Sequence, residues 1–213
     1  MLNGGRRSRV VAFAGTQGLA MLLTACKGEP WDMVAVVPPA NAGAAFAQLH
    51  SSIGASADEV LIPTLDRVEV CAELTDSTRL VGELAIIRGK PGAAIRRVYL
   101  VSETIDEPVT DYRLTPEVLA ALKEADAIVI GPGSIYTNLI PSLLAREINE
   151  TIRASNARKI FVCNLMTQPN QTEGYSIAEH VRAIQKHCGF RFDYVLAHRG
   201  GTISSEVLER YRS

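Results

Sequence analysis

Apolar positions along this chain recur in two patterns: short runs rich in β-branched residues, and longer stretches in which they return every three or four residues. Residues 10–13 form a β-branched and aromatic run that closes on Ala14 and Gly15, and residues 19–25 follow with apolar side chains all round. This reads as a strand, a glycine turn and a helix. Residues 31–37 make the next strand, stopped by Pro38 and Pro39. Small residues from Ala40 onward open a helix reaching His50, and 51–58 is a connector of Gly, Ser and Ala. Strand, helix and strand joined by short connections is the unit of a parallel sheet.

Residues 68–74 and 79–87 alternate apolar and polar side chains around Thr75, Asp76 and Ser77, which predicts a β-hairpin with a bulge at Gly82. A strand over 95–101 follows. Thr115 is placed to cap a helix with Pro116 at its first position, running to Ala125. Residues 127–130 are wholly apolar, as a central parallel strand should be. The pattern then predicts a helix over 141–154, a strand over 159–165, a helix over 176–187, a strand over 194–197 and a last helix from Ser204. The sum is one α/β domain over residues 1–213, a doubly wound, mostly parallel sheet with an inserted β-hairpin.

Composition narrows the function classes. Hydrophobic residues make up 47% and charged ones 21%, which suits a folded domain and excludes a disordered or collagenous chain. A net charge of -1 supplies no global field to attract nucleic acid or an anionic membrane, so neither is expected as a partner. Cys26, Cys71, Cys163 and Cys188 lie far apart with no C-x-x-C pair, as in a chain of reduced thiols. Near the N-terminus, Arg6, Arg7 and Arg9 precede an apolar stretch, and Leu23, Thr24, Ala25 and Cys26 look like the lipobox of a bacterial lipoprotein. Gly15, Thr16, Gln17 and Gly18 interrupt that stretch, which favours strand, turn and helix over a signal sequence. The expectation is a cytoplasmic protein with Cys26 packed in a helix.

In doubly wound sheets ligands bind beyond the carboxyl ends of the strands. Three loops there carry candidate chemistry. The first, residues 14–18, opens a helix whose free N–H groups suit a phosphate, although Ala14 and Thr16 stand where a dinucleotide fingerprint has glycine. The second combines Gly131 and Gly133 with Ser134, Tyr136, Thr137 and Asn138: glycines for close backbone approach and uncharged donors at a helix start. This suits an anion or a sugar phosphate. The third, residues 164–176, is long for a connection in such a fold, and includes Asn164, Thr167, Gln168 and the aromatic Tyr175. His180 and His187 are spaced for a cap or a solvated face rather than a metal pair. No catalytic triad, metal-binding motif or full Walker loop is present, so no catalytic residue, metal or cofactor is assigned.

From Pro63 onward the chain resembles the YvcK family, the UDP-sugar-binding bacterial proteins also called gluconeogenesis factors, which share a fold with the 2-phospho-L-lactate transferase CofD. The resemblance rests on residues 70–74, 125–137 and 162–169, with Gly174, Tyr175, His180 and Val181. Residues 9–11 with Gly18 and Leu19 resemble the family's opening strand and loop more loosely. The resemblance implies a CofD-like, Rossmann-like fold and a non-enzymatic protein that binds UDP-N-acetylglucosamine or a similar nucleotide sugar, regulating carbon metabolism and cell-wall or cell-shape control. It implies a site built from Gly15, Gly18, Gly131, Gly133, Ser134, Tyr136, Thr137, Asn164, Thr167, Gln168 and Tyr175, with Tyr211 as a weaker member. In it, N–H groups of Gly133 and Ser134 face the diphosphate, and Asn164 and Thr167 face the sugar or the base.

The chain also departs from the family. Ala14, Thr16 and Gln17 replace residues of its glycine loop, and residues 39–44 lack two carboxylates the family carries after the second strand. A helical segment on the order of a hundred residues, judged from the usual size of such a domain, is missing between Gly54 and Pro63. Apolar surface left uncovered there implies marginal stability or a homo-oligomer. Two other readings follow: a CofD-like transferase, or a remnant that binds nothing.

Overall fold

The computed structural model describes residues 7–56, 59–102, 108–109, 112–200 and 209. The chain opens with β1 (Ser8–Phe13), α1 (Thr16–Ala25), β2 (Trp31–Val36), α2 (Ala42–Ile53) and the two-residue β3 (Val60–Leu61). A second unit follows: β4 (Val68–Leu74), β5 (Arg79–Val81), α3 (Glu83–Arg88) and β6 (Ile95–Ser102). The chain then returns through α4 (Pro116–Glu124), β7 (Ala127–Ile130), a π-helical turn (Ile135–Leu139), α5 (Ile140–Leu143), α6 (Arg146–Ala154), β8 (Arg158–Val162), α7 (Ile177–Cys188) and β9 (Tyr194–Leu196).

The six strands of the main sheet stand in the order β3-β2-β1-β7-β8-β9, and every pairing is parallel. The chain steps outward from β1 to β3, crosses back to lay β7 beside β1, and steps outward again. The strand order therefore reverses between β1 and β7, and the region beyond their carboxyl ends is where the ligand crevice of a doubly wound sheet lies. The three-stranded antiparallel sheet β5-β4-β6 sits within the crossover from β3 to β7.

Alternation along the central strands divides the core. Val10, Ala12 and Ala14 face α1 and α2 through Leu19 and Leu49. Val11, Phe13, Ile128, Ile130 and Phe161 face the other way, onto Val118, Leu122, Ile148, Ile152 and Ile184 of the later helices and Val70, Val98 and Leu100 of the antiparallel sheet. Burying a side chain of this size stabilises the fold by roughly 1.5–3 kcal/mol.

Three expectations need correction. The second arm of the hairpin ends at Val81; Gly82, at φ 88°, turns the chain into α3 instead of forming a bulge. Only glycine adopts that backbone at low cost, and a helix with Glu83 in its first turn and Arg88 in its last complements its own dipole. The helix expected over 141–154 begins earlier, as the π-helical turn, and breaks at Ala145, whose ψ of 126° leaves the helical region before α6. β8 stops at Val162, so residues 163–165 already belong to the loop. The helix expected from Ser204, and Tyr211 with it, lie outside the described residues apart from Glu209.

The lipobox-like stretch lies at the end of α1, which finishes at Ala25; half-buried Cys26 is the residue after it, donating its N–H to the carbonyl of Leu22 at 2.9 Å. Cleavage before Cys26 would remove β1, which pairs with both β2 and β7. No helix among the described residues is long and apolar enough to cross a membrane.

Candidate functional site

The loops leaving β1 and β7 interlock. The N–H of Gly15 donates to the carbonyl of Pro132 at 3.1 Å. A Cβ on Gly133 would stand 2.5 Å from the Gly15 nitrogen, and one on Gly18 would overlap the Pro132 carbonyl. Gly131 has φ 91° and packs against the Val162 carbonyl at the end of β8. The glycines thus let three strand ends close on one another, which accounts for them before any ligand is considered. What the packing leaves is the first turn of α1, where the N–H groups of Thr16, Gln17 and Gly18 have no acceptor within the helix and lie at the positive end of its dipole.

The hydroxyl of Ser134 accepts the Thr137 N–H at 3.3 Å, capping the π-helical turn, and donates to Gln171 Oε1 at 2.8 Å. Thr137, only 1% exposed, donates its hydroxyl to Glu83 Oε1 at 3.1 Å, and Asn138 Nδ2 donates to the same oxygen at 3.1 Å. Asn164 acts as a backbone surrogate. Its Oδ1 accepts the Gly133 N–H at 2.9 Å and its Nδ2 donates to the Gly133 carbonyl at 2.8 Å. The Gly133 N–H is therefore occupied rather than facing a diphosphate, and Asn164 braces the loop rather than presenting its amide to a sugar.

Tyr136 is buried, and its hydroxyl meets that of half-buried Tyr175 at 2.8 Å. Burial first, and the neighbouring phenol second, push the Tyr136 hydroxyl well above the ordinary tyrosine range, so it stays protonated. The Tyr175 ring stands edge-on to His180 with centroids 5.5 Å apart. The 164–176 loop is tied internally: the hydroxyl of Thr172 accepts the Gln168 N–H at 2.9 Å, and the Gln168 carbonyl accepts N–H groups of Gln171 and Thr172. Gln168 Oε1 is buried without a hydrogen-bond partner among the described residues, and Thr167 is exposed.

His180 is buried, with Nδ1 bonded to the Ser176 carbonyl at 2.9 Å in the first turn of α7, so a solvated role does not hold. His187 ties α7 to the antiparallel sheet. Its Nδ1 lies 2.7 Å from the Ala183 carbonyl, which makes it the donor, and Nε2 accepts the Val98 N–H of edge strand β6 at 3.2 Å. Burial holds its pKa below the ordinary histidine value. No three His, Cys, Asp or Glu side chains converge as metal ligands among the described residues. Hollows of about 480 Å³ beside Asp126 and Ser155 and about 560 Å³ beside Trp31 and Met33 lie toward the amino ends of the strands, away from the crevice.

Sequence reasoning missed Glu83 and Gln171. Glu83 was hidden in a segment read as strand; Gly82 and Gly89, which bound the helix, were the available signal. Gln171 sits in a loop whose path no local pattern fixes.

The family model of the 2-phospho-L-lactate transferase CofD matches residues 44–213. The chain belongs to the CofD family. Among this CofD-family chain's relatives, a putative gluconeogenesis factor of Nostoc is 44% identical over 163 residues, 76% of this chain and 34% of the relative. The putative gluconeogenesis factor of Thermotoga maritima is 39% identical over 153 residues, covering 72% and 45%. The gluconeogenesis factor of Bacillus subtilis is 37% identical over 140 residues, covering 66% and 41%. The chain thus spans between a third and a half of the length of these relatives. A crystal structure of a UPF0052-family protein from Bacillus halodurans superposes with a TM-score of 0.81 at 27% identity, covering 96% of this chain and 85% of that one.

Proposed function

We propose that this CofD-family chain binds a nucleotide sugar of the UDP-N-acetylglucosamine type without transforming it, and acts from the cytoplasm in the regulation of carbon metabolism and of the cell wall or cell shape. The observation that carries the reading is where the first turn of α1 falls, at the point where strand order reverses and beside the hydrogen bond from Gly15 to Pro132, with N–H groups that have no acceptor within the helix. There the start of α1 offers N–H groups and a positive dipole end to a diphosphate. Tyr175, with its hydroxyl tied to Tyr136, offers a ring for the base or sugar, and exposed Thr167 a hydroxyl. The relatives named gluconeogenesis factor support the regulatory part.

A melting series with UDP-sugars, GDP and phosphate tests this, because a ligand bound only by the native state raises its stability. A shift with UDP-N-acetylglucosamine that phosphate does not reproduce supports the reading; no shift with any of them removes it. The family description favours a second reading, transfer of a phospholactyl group. Release of nucleotide from a nucleotide-activated phospholactate in the presence of a deazaflavin acceptor would establish that instead.

A further inference from the structure

We propose that Glu83 determines specificity in this site: its carboxylate receives vicinal hydroxyls of the ligand's sugar and turns the diphosphate toward the start of α1. The assignment rests on the nucleotide-sugar reading. Both bonds that Glu83 accepts, from Thr137 Oγ1 and Asn138 Nδ2, fall on Oε1. Oε2 has no hydrogen-bond donor among the described residues, and the side chain is half-buried, within reach of solvent. An ionised carboxylate is an acceptor only, so what it can still take is a donor.

Asn138 ties this carboxylate to the anion-binding end of the crevice. Its Nδ2 holds Glu83, while its Oδ1 lies so close to Gly15 that a Cβ there would stand 2.7 Å away. Glu83 and the start of α1 are therefore separated by one asparagine side chain. A phosphate placed on the Thr137 and Asn138 donors would meet the carboxylate that already uses them, and like charges at such range repel. Hydroxyls placed there gain charge-assisted hydrogen bonds. The crevice is thus polarised, positive at α1 and negative at α3, and a ligand carrying a diphosphate next to a sugar has one orientation in it. In many doubly wound folds an acidic residue after the second strand holds the ribose hydroxyls. Here residues 37–42 after β2 carry no carboxylate, and the antiparallel sheet delivers one instead. Asn170 fixes the far end of α3, donating Nδ2 to the carbonyls of Ile87 at 3.3 Å and Arg88 at 3.1 Å, so the position of Glu83 is set from both sides.

The hydroxyl pair can come from the ribose or from the hexose, and the test separates them. Wild type, Glu83→Gln and Glu83→Ala are titrated calorimetrically with UDP-N-acetylglucosamine, UDP, 2′-deoxy-UDP and pyrophosphate. Glu83→Gln keeps an acceptor for Thr137 and Asn138, so it separates the charge from the bracing of the loop. We expect it to weaken UDP-N-acetylglucosamine by about tenfold or more, as loss of a charge-assisted bond does, with pyrophosphate unchanged or tighter. If the ribose supplies the hydroxyls, UDP loses as much and 2′-deoxy-UDP is already weak in the wild type; if the hexose does, UDP is indifferent to the substitution. Equal weakening of pyrophosphate, or unchanged affinity for UDP-N-acetylglucosamine, overturns the assignment and leaves the nucleotide-sugar reading standing. A wild type that binds no nucleotide sugar removes both.

Discussion

The hydroxyls of Tyr136 and Tyr175 meet at 2.8 Å and so join the β7 loop to the 164–176 loop. Tyr136 is 4% exposed and stands edge-on to His187, with centroids 6.2 Å apart, so the contact is anchored on α7 as well. Removing either hydroxyl leaves the other without its partner. We expect Tyr136→Phe and Tyr175→Phe each to cost about 1 kcal/mol, and the double substitution to cost less than their sum. Urea unfolding of the four proteins measures this, and strict additivity would show that the hydroxyls do not interact.

Packing of the two glycine loops predicts opposite outcomes for two similar substitutions. Gly18→Ala drives a Cβ into the Pro132 carbonyl and should destabilise the fold by roughly 1–3 kcal/mol. Gly43→Ala, in α2 with nothing near its Cβ, should stabilise it by about 0.5–1 kcal/mol. Thermal or urea melts decide, and equal effects would contradict the close approach of α1 to the β7 loop.

His187 gives stability a pH dependence of known sign. Its folded pKa is lowered from 6.5 by burial, so the unfolded chain binds more protons between the two values. Its contribution is complete above 6.5 and is lost as pH falls through the window below that value. Protonation of Nε2 also removes the acceptor for the Val98 N–H. The stability difference between wild type and His187→Gln should therefore shrink as pH is lowered from about 7 to about 5. A difference that is flat or grows on acidification would contradict this.

The central sheet was legible in the sequence because the chemistry was local. The runs expected at 10–13, 31–37, 127–130 and 159–165 are mostly apolar or β-branched and bounded by Gly, Pro or polar residues, and each yields a strand of the parallel sheet, the last of them ending early at Val162. Gly15, Gly18, Gly131 and Gly133 do gather at one place, because the strands that precede them are neighbours in the sheet. Less legible was everything set by distant partners. Leu84, Ile86 and Ile87 suit a strand or a helix equally, and it was the positive φ of Gly82 that decided. Nothing near Asn164 announces that its amide will pair with the backbone of Gly133, 31 residues away. Likewise Glu83 comes to the crevice only because the antiparallel sheet folds back over the β7 loop.

Placement of the diphosphate at the start of α1 is the central claim, and one substitution tests it without disturbing the fold. Gln17 is exposed in the first turn of that helix. A carboxylate at this position favours the helix, by about 0.3–1 kcal/mol, but repels a bound phosphate. UDP-N-acetylglucosamine should therefore bind the wild type saturably in a calorimetric titration and bind Gln17→Glu about tenfold or more weakly, although the variant melts no lower. Equal affinity in the two proteins, or no heat of binding in the wild type, would contradict the account.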